Sequence, residues 1–375
     1  MPIRVHLDKR SYDIILNARL ADFGPFARKL TGGSLALVVT DQNILAYAEK
    51  VVASLRGGGF LTELAVLPPG EAQKSLATAS QLYDRLADLH ADRKTAVVAV
   101  GGGVIGDLAG FVAATFARGL PLLMVPTTLL AMVDSSVGGK VAVNHARAKN
   151  LIGAFHQPSC VWIELSALDT LPEREYRSGL AEVVKYGVSL DANFLEFLER
   201  NAQEILQRRP QPLVVVVDTC CKLKASIVEK DEREETGLRM VLNYGHTFAH
   251  AFETVAGYGH WLHGEAVAAG MVCASRLAER RGLIPAELTE RQRRLLARFG
   301  LPTAPERWPV SDLVEAMRSD KKALAGRMRF ILPRRLGEVA LFDDIPETEV
   351  RRVLEEAVGQ DADPDRASNP SGSKS

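Results

Sequence analysis

The segment that most constrains the fold is an apolar run, Thr95–Val100, that leads directly into three glycines and then into a helical pattern. A run of small and β-branched residues without alternation is typical of a strand buried on both faces of a parallel sheet. Three further runs have the same character: Leu35–Thr40, Leu122–Val125 and Cys160–Ile163. Between the predicted strands Leu35–Thr40 and Thr95–Val100, the segment Ala72–His90 carries leucines at helical spacing. Alternating strands and helices predict an α/β layer fold that binds ligands at the carboxyl ends of its strands.

The glycine segment, Gly101–Asp107, matches G-x-G-x-x-G between a strand and a helix. Glycines let backbone N–H groups approach a pyrophosphate, and the helix N-terminus supplies partial positive charge. The segment departs from the usual dinucleotide fingerprint because no acid follows about twenty residues later to bind the ribose. Asp41, directly after the strand Leu35–Thr40, is the better ribose candidate. For Asp107 two roles remain open, a contact on the nicotinamide side or a helix cap.

Beyond about residue 165 the pattern becomes mainly helical. Glycine, proline or charged breaks separate the predicted helices Ala167–Gly187, Asp191–Arg208, Pro212–Glu229, His246–Gly257, His263–Arg281, Ala286–Gly300 and Val310–Arg318. We therefore predict an α/β domain over residues 1–168 and a helical domain over residues 169–358. Residues 359–375 lack large apolar side chains and are predicted to be a disordered tail.

Histidines are concentrated in the helical half. Four of the eight lie within residues 246–263, and Glu182 precedes them in the chain. His246 and His250 are four residues apart and share one helix face. A catalytic divalent metal needs three nitrogen or oxygen ligands and one open position, which this set can supply. A single histidine more often caps a helix or lies half-buried, but the cluster favours a functional site, without deciding which histidines bind metal.

The overall charge gives no support for a nucleic-acid or membrane partner. Lys plus Arg (46) equals Asp plus Glu (46), so no net field favours nucleic acid or membrane. An anionic ligand must then be held by local basic and polar residues. Candidates are Lys140 after a glycine pair, Lys149, Asn150, Lys224, Arg239, Asn243, Lys321 and Lys322. Their number favours a phosphorylated substrate, although surface lysines such as Lys321 and Lys322 carry little weight singly.

Four cysteines without paired spacing indicate a reducing, cytoplasmic setting rather than a disulfide framework. The first residues lack the apolar run of a signal peptide. The longest apolar stretch, around Leu120–Val133, is interrupted by prolines, so no membrane span is expected.

The motifs, taken in order, resemble those of the 3-dehydroquinate synthase family. The resemblance covers residues 10–355 and is carried by Gly101–Asp107, Pro126–Lys140, Lys149–Gly153, Ala181–Lys185, Asn243–His250 and His263–Glu265. It implies a Rossmann-like NAD-binding α/β domain, a helical metal-binding domain and an active site in the cleft between them. It also implies a homodimer and one divalent metal, zinc or cobalt. Two departures are Ala249, where glycine is common, and one extra glutamate within residues 231–236.

The resemblance assigns roles by position. The implied metal ligands are Glu182, His246 and His263, which makes His250 a substrate-side group. The implied catalytic residues are Asp134, Lys140, Lys185, Asn243 and His250. The implied substrate contacts are Arg118, Asn150, Lys224, Arg239, Lys321 and Lys322, with Arg118 reaching the phosphate of the neighbouring subunit. The implied NAD contacts are Asp41, Asn43, Glu71, Lys74, Gly102, Gly103, Asp107, Thr127, Thr128 and Lys149.

The implied reaction converts 3-deoxy-D-arabino-heptulosonate 7-phosphate to 3-dehydroquinate and phosphate in the shikimate pathway. It proceeds by transient NAD oxidation, phosphate elimination, re-reduction and aldol cyclisation. The alternatives are a related sugar-phosphate cyclase of secondary metabolism and a metal-dependent polyol dehydrogenase, which would release NADH and need no phosphate-binding lysine. A non-catalytic nucleotide sensor on the same fold would predict loss of a metal ligand or of the phosphate-binding lysines, and none is missing.

Overall fold

The computed structural model describes residues 2–17, 19–257, 259–321 and 328–358. The chain divides into two compact units, residues 1–179 with 203–239, and residues 180–202 with those from 240 onward. Among the described residues, no helix combines the length and apolar character needed to cross a membrane. Lys322 and the predicted disordered tail, residues 359–375, lie outside the described residues.

The first unit is built on a seven-stranded sheet in the order β1-β2-β9-β6-β5-β3-β4. Its strands are β1 (Ile3–Val5), β2 (Tyr12–Leu16), β3 (Leu35–Asp41), β4 (Leu61–Leu67), β5 (Ala96–Gly101), β6 (Leu122–Pro126) and β9 (Cys160–Ile163). All neighbours pair in parallel except β1 with β2. Its helices are α1 (Phe23–Thr31), α2 (Leu45–Gly57), α3 (Leu76–Asp88), α4 (Gly103–Thr115) and α7 (Pro210–Lys230). A separate hairpin joins β7 (Lys140–His145) to β8 (Ala148–Phe155).

The predicted parallel α/β fold is confirmed. All residues of β5, β6 and β9 are buried, as the continuous apolar runs predict for strands covered on both faces. On one side of the sheet, Trp162 of β9 packs against Phe23 and Phe26, with ring centroids 5.5 and 5.3 Å apart. Burying each large apolar side chain contributes roughly 1.5–3 kcal/mol, so this core holds the carboxyl edge of the sheet in place.

The strand order determines where a ligand should bind in the first unit. From β3 the chain passes outward to β4 at the sheet edge and then returns to β5 on the other side of β3. Ligands of open α/β sheets bind at the carboxyl ends of the strands that flank such a reversal. Asp41 ends β3 and Gly101 ends β5, so both predicted nucleotide segments lie at this point.

The second unit is mainly helical, as predicted. The division of the chain falls within α5 (Glu173–Ser189) and α6 (Ala192–Leu206). The remaining elements are α8 (His246–Ala256), α9 (His263–Arg280), α10 (Ala286–Arg298), α11 (Val310–Lys321), β10 (Phe330–Arg335), β11 (Glu338–Phe342) and α12 (Glu347–Val358). The helix predicted from Ala167 begins only at Glu173, because Pro172 disfavours helical backbone at the residue before it.

The domain to which α7 belongs differs from the prediction. Residues 203–239 belong to the first unit, although the sequence prediction assigned them to the second domain. The apolar face of α7 is buried within the first unit, and Cys221 Sγ contacts the Met132 carbonyl oxygen at 3.3 Å. Linear position along the chain does not reveal this return, because it depends on long-range packing.

Candidate functional site

Glu182, His246 and His263 converge in the second unit. Glu182 lies on α5, whereas His246 and His263 are the first residues of α8 and α9. Glu182 Oε1 is 3.7 Å from His246 Nε2 and 3.6 Å from His263 Nε2. Ligand atoms that share a tetrahedral ion at about 2.1 Å lie roughly 3.4 Å apart. The three residues can therefore hold one divalent ion between them.

The electrostatics of the trio also fit a cation. Burial, with Lys185 as the next cause, lowers the pKa of His246 to about 3, so this ring is in the neutral, ligand form. Burial would also lower the pKa of His263, but Glu182 and Glu253 outweigh it and raise the pKa to about 10, so a metal ion would displace a proton from this ring. Glu182 is fully buried and ion-paired with Lys185. A buried carboxylate between two imidazoles provides the charge and donors that zinc or cobalt prefers.

Local backbone geometry orients His246. Gly245 has φ 82°, and a Cβ at this position would lie 2.6 Å from Met271 Cγ, so only glycine fits before the helix. His246 Nδ1 lies 3.2 Å from the carbonyl oxygen of Tyr244. Because a carbonyl only accepts, Nδ1 donates and Nε2 remains available for a metal.

A second carboxylate contacts His263. Glu253 is buried on α8, and its Oε1 lies 3.6 Å from His263 Nδ1, on the opposite side of the ring from Glu182. Sequence analysis missed Glu253, although its spacing of seven residues from His246 puts both on one helix face. A carboxylate at the far nitrogen of a ligating imidazole orients the ring and raises its basicity.

We predict that Glu253→Gln lowers zinc or cobalt affinity by about tenfold, within the range for such outer contacts. Glutamine keeps the size but not the charge that faces His263. Competition with a chromogenic chelator measures the affinity, and Glu287→Gln, at an exposed position, is the matched control. Equal affinity in both variants would refute an orienting role for Glu253.

His250 lies next to His246, and Asn243 ends the 3-10 helix that precedes α8; neither belongs to the trio. His250 follows His246 by one turn of α8, and their ring centroids are 5.7 Å apart. Both His250 and Asn243 are exposed, so a ligand can reach them. The structure thus groups the metal residues as the family resemblance implies, while the roles of His250 and Asn243 remain predictions.

At the carboxyl edge of the first unit, two glycines let the start of α4 pack closely against the neighbouring loop. A Cβ on Gly102 would lie 3.1 Å from Thr128 Cγ2, and one on Gly103 would lie 3.3 Å from Ser135 Oγ. Gly102 precedes α4 and has no side chain to cap it, so the first N–H groups can bind an anion. The Thr127 N–H donates to the Gly101 carbonyl at 3.0 Å, which aligns the two loops. At β3, Asp41 accepts the Asn43 N–H at 2.8 Å.

The open question about Asp107 is answered against a helix cap. Asp107 lies inside α4, and its carboxylate pairs with Lys74 Nζ at 2.5 Å. Burial raises the pKa of Asp107, and the charge of Lys74 opposes that shift. Lys74 also donates to the side-chain oxygen of Asn150. The Asp107–Lys74–Asn150 chain joins residues predicted to contact NAD with one predicted to contact substrate.

Basic residues predicted to contact substrate form two further groups in the first unit. Lys224 on α7 donates to the backbone oxygen of Asp134 at 2.7 Å and to its carboxylate at 2.6 Å. Asp134 lies in a π-helical turn, a conformation frequent at functional sites. Lys140 pairs with Glu234, and Arg239 Nε lies 3.7 Å from the same carboxylate. Glu234 was not among the residues selected from the sequence, although it lies in the segment 231–236 that carries the extra glutamate.

Asp231 organises the loop that carries Glu234 and Arg239. Its carboxylate accepts the backbone N–H groups of Thr236 at 3.1 Å and Arg239 at 3.0 Å. Burial by itself would raise the pKa of Asp231, but these hydrogen bonds outweigh it and hold the pKa below its ordinary value.

We predict that Asp231→Ala destabilises the protein at neutral pH by about 1–3 kcal/mol, because the buried N–H group of Arg239 and the N–H group of Thr236 lose their acceptor. A carboxylate with a lowered pKa stabilises above its unfolded-state pKa, and this contribution is lost as pH falls through the folded-state value. The stability difference between wild type and variant should therefore shrink in acid. Thermal melting at neutral and acidic pH tests this, with exposed Asp88→Ala as control. A difference that is independent of pH would contradict it.

Arg118 and Lys321 complete the predicted set. Arg118 follows α4 with φ 67°, after Ala117 with φ 47°. Two adjacent non-glycine residues in the left-handed region are costly, and such strain is concentrated at functional sites. Lys149 lies on β8, and Lys321 ends α11. The side chain of Lys321 is not among those described.

Comparison with known families matches both parts of the chain. Residues 64–178 match the family described as 3-dehydroquinate synthase N-terminal, and residues 179–323 match 3-dehydroquinate synthase C-terminal. A 3-dehydroquinate synthase from Desulforamulus reducens is 50% identical over 355 residues, covering 94% of this chain and 99% of the relative.

Two solved structures of sugar-phosphate cyclases are similar throughout. The 2-epi-5-epi-valiolone synthase ValA from Streptomyces hygroscopicus, with NAD⁺ and Zn²⁺ bound, has a TM-score of 0.86 and 29% identity, covering 95% of this chain and 99% of that chain. A 2-deoxy-scyllo-inosose synthase, complexed with carbaglucose-6-phosphate, NAD⁺ and Co²⁺, has a TM-score of 0.84 and 27% identity, covering 95% of this chain and 100% of that chain.

Proposed function

The chain belongs to the 3-dehydroquinate synthase family, and on that premise we propose how its own residues carry out the reaction. The enzyme is a carbon–oxygen lyase of the shikimate pathway. It converts 3-deoxy-D-arabino-heptulosonate 7-phosphate to 3-dehydroquinate and inorganic phosphate. Its cofactors are NAD and one divalent metal ion, zinc or cobalt.

One observation carries the proposal: two imidazoles and a buried carboxylate meet around a volume that fits a single divalent ion. Bound NAD supplies a reversible oxidation of a substrate hydroxyl, and the bound metal supplies Lewis acidity toward the neighbouring hydroxyl groups. Glu182, His246 and His263 hold the metal. With three protein ligands, a bound metal would keep a position open for substrate, as catalytic zinc sites do.

The nucleotide binds at the carboxyl edge of β3 and β5. Asp41 would accept hydrogen bonds from the ribose, and the N–H groups at Gly102 and Gly103 would bind the pyrophosphate. Lys74 and Asp107 neutralise each other, and both are proposed to contact the nucleotide. The proposed NAD contacts also include Asn43, Glu71, Thr127, Thr128 and Lys149.

The proposed substrate contacts fall into two sets, one that binds the phosphate and one that acts at the C5 hydroxyl. Lys140, Asn150 and Arg239 bind the phosphate through charge-assisted hydrogen bonds, and Arg118 reaches the phosphate bound by a second copy of the chain. His250 moves the proton at the C5 hydroxyl, and Asn243 orients that group. The remaining proposed contacts are Asp134, Lys185, Lys224, Lys321 and Lys322.

The deciding experiment measures phosphate release from 3-deoxy-D-arabino-heptulosonate 7-phosphate by purified protein. Metal is stripped and restored, NAD⁺ is added or withheld, and NADH absorbance is followed throughout. We expect phosphate release only with both cofactors and no accumulation of NADH, because the overall conversion involves no net oxidation or reduction. NADH accumulating on a polyol without phosphate release would instead identify a dehydrogenase.

A second candidate function rests on the likeness to ValA and the inosose synthase. A cyclase of secondary metabolism would be inactive on the heptulosonate phosphate and active on a heptulose 7-phosphate that lacks the carboxylate. Phosphate release measured on each of the two substrates separates the two activities.

We also propose that the enzyme is a cytoplasmic homodimer. Strain at Ala117 and Arg118 supports a role for Arg118 beyond its own fold, and all four cysteines are buried thiols. Equilibrium sedimentation measures the oligomeric state. Active monomers would refute a contribution of Arg118 across an interface.

A further inference from the structure

Asn144 is absent from the residues that sequence analysis selected, yet it lies where three of them meet. Its side-chain amide donates to Glu71 Oε1 at 2.7 Å. Its side-chain oxygen accepts the backbone N–H of Asn150 at 2.9 Å. Its own backbone N–H donates to the Lys74 carbonyl oxygen at 2.8 Å. One half-buried side chain thus contacts a predicted NAD residue and a predicted substrate residue with opposite ends of its amide.

The hairpin is irregular at this residue. The β7–β8 register runs regularly to Val143↔Ile152 and shifts before His145↔Ala148. Asn144 lies within this shift, and it forms a bridge to Ser75 instead of a regular pair across the hairpin. Bulges of this kind redirect a side chain and are over-represented next to active sites.

The acceptor end of Asn144 holds an unusual backbone conformation. Asn150 has φ 56°, in the left-handed region that non-glycine residues rarely adopt. In this conformation its N–H donates to Asn144 while its side-chain oxygen accepts from Lys74 Nζ. Loss of the Asn144 oxygen would leave Asn150 free to relax away from Lys74.

We propose that Asn144 is a positioning residue that aligns the nucleotide side of the site with the phosphate side. Its amide nitrogen orients the Glu71 carboxylate toward NAD, and its amide oxygen holds Asn150 in the conformation that binds the substrate phosphate. This inference rests on the proposed function, because that function assigns the roles of Glu71 and Asn150. It adds a residue that itself touches neither NAD nor substrate.

The two ends of the amide make separable predictions. Asn144→Ala removes both hydrogen bonds, so the NAD dissociation constant and the substrate KM should each rise about tenfold. Asn144→Asp keeps the acceptor for Asn150 but faces Glu71 with a second carboxylate, and like charges at this distance repel. It should weaken NAD binding by about tenfold or more and leave the substrate KM within about twofold of wild type.

The test measures NADH binding by fluorescence and the kinetics of phosphate release for wild type, both Asn144 variants and His145→Ala. His145 is the matched control, because its ring is exposed and accepts only the nearby Arg147 N–H among the contacts given for it, at 3.2 Å. Restoration of the substrate KM in Asn144→Asp, with NAD binding still weak, supports the proposal. If the NAD dissociation constant and the substrate KM rise equally in the two variants, the role of Asn144 is merely structural and the proposal is overturned. Wild-type values of both constants in Asn144→Ala would also overturn it.

Two safeguards keep the result decisive. If Asn144→Ala fails to fold by circular dichroism, the near-isosteric Asn144→Asp still tests the split between the two constants. If wild type itself releases no phosphate from the heptulosonate phosphate, the proposed function has failed. The NADH dissociation constants then still decide whether Asn144 positions Glu71.

Discussion

Replacing His263 with alanine is expected to abolish turnover and metal binding together. The variant leaves Glu182 and His246 as two ligands where a catalytic site needs three. The loss of affinity should exceed the roughly 10–100-fold that outer contacts of a metal site cost. Metal content after dialysis against zinc or cobalt measures the first effect, and phosphate release measures the second.

Two controls separate loss of a ligand from other effects. His6→Ala removes an exposed imidazole of the first unit and should leave both quantities unchanged. His250→Ala should keep the metal and lose turnover, since His250 is proposed to move a proton without being a ligand. A metal that binds only the folded state raises the melting temperature, so zinc should stabilise wild type and His250→Ala but not His263→Ala. Full metal stoichiometry in His263→Ala would contradict the assignment of the ligands.

Replacing Lys140 with alanine is expected to lower kcat/KM by about a hundredfold, through the substrate KM. Lys140 is half-exposed, so an incoming phosphate can reach its ammonium group. In the absence of phosphate, this group pairs with Glu234. A hydrogen bond to a charged group contributes about 1.5–3 kcal/mol, which corresponds to roughly one or two orders of magnitude. Inhibition by inorganic phosphate should weaken in parallel.

The control for Lys140 is Lys29→Ala, which removes an exposed lysine of α1. The NAD dissociation constant should remain that of wild type in both variants, because Lys140 is assigned to phosphate rather than nucleotide. Glu234→Gln should lower the substrate KM, since the free ammonium no longer has a competing carboxylate. A wild-type KM in Lys140→Ala, or an equal loss of NAD affinity, would argue against the phosphate site.

Local sequence determined the elements that depend on neighbouring residues. The continuous apolar runs of β3, β5, β6 and β9 predicted strands of a parallel sheet, and the helices from α6 to α11 were predicted within a few residues of their observed ends. The other described strands, β1, β2, β4, β7, β8, β10 and β11, were not predicted, because none of them was recognised as a continuous apolar run. Strand stability there comes from partners distant in sequence.

For the candidate site, the sequence by itself determined which residue types were present and, through resemblance to a family, which of them to group. The tertiary structure alone decided distances: the 3.6–3.7 Å spacing of the trio, the contact of Glu253 with His263, and the place of Asn144 between Glu71 and Asn150. It also returned α7 to the first unit, which brings Lys224 to Asp134. The physical reason is that hydrophobic periodicity acts over a few residues, whereas carboxylates, amides and imidazoles from separate segments meet only after the core has packed.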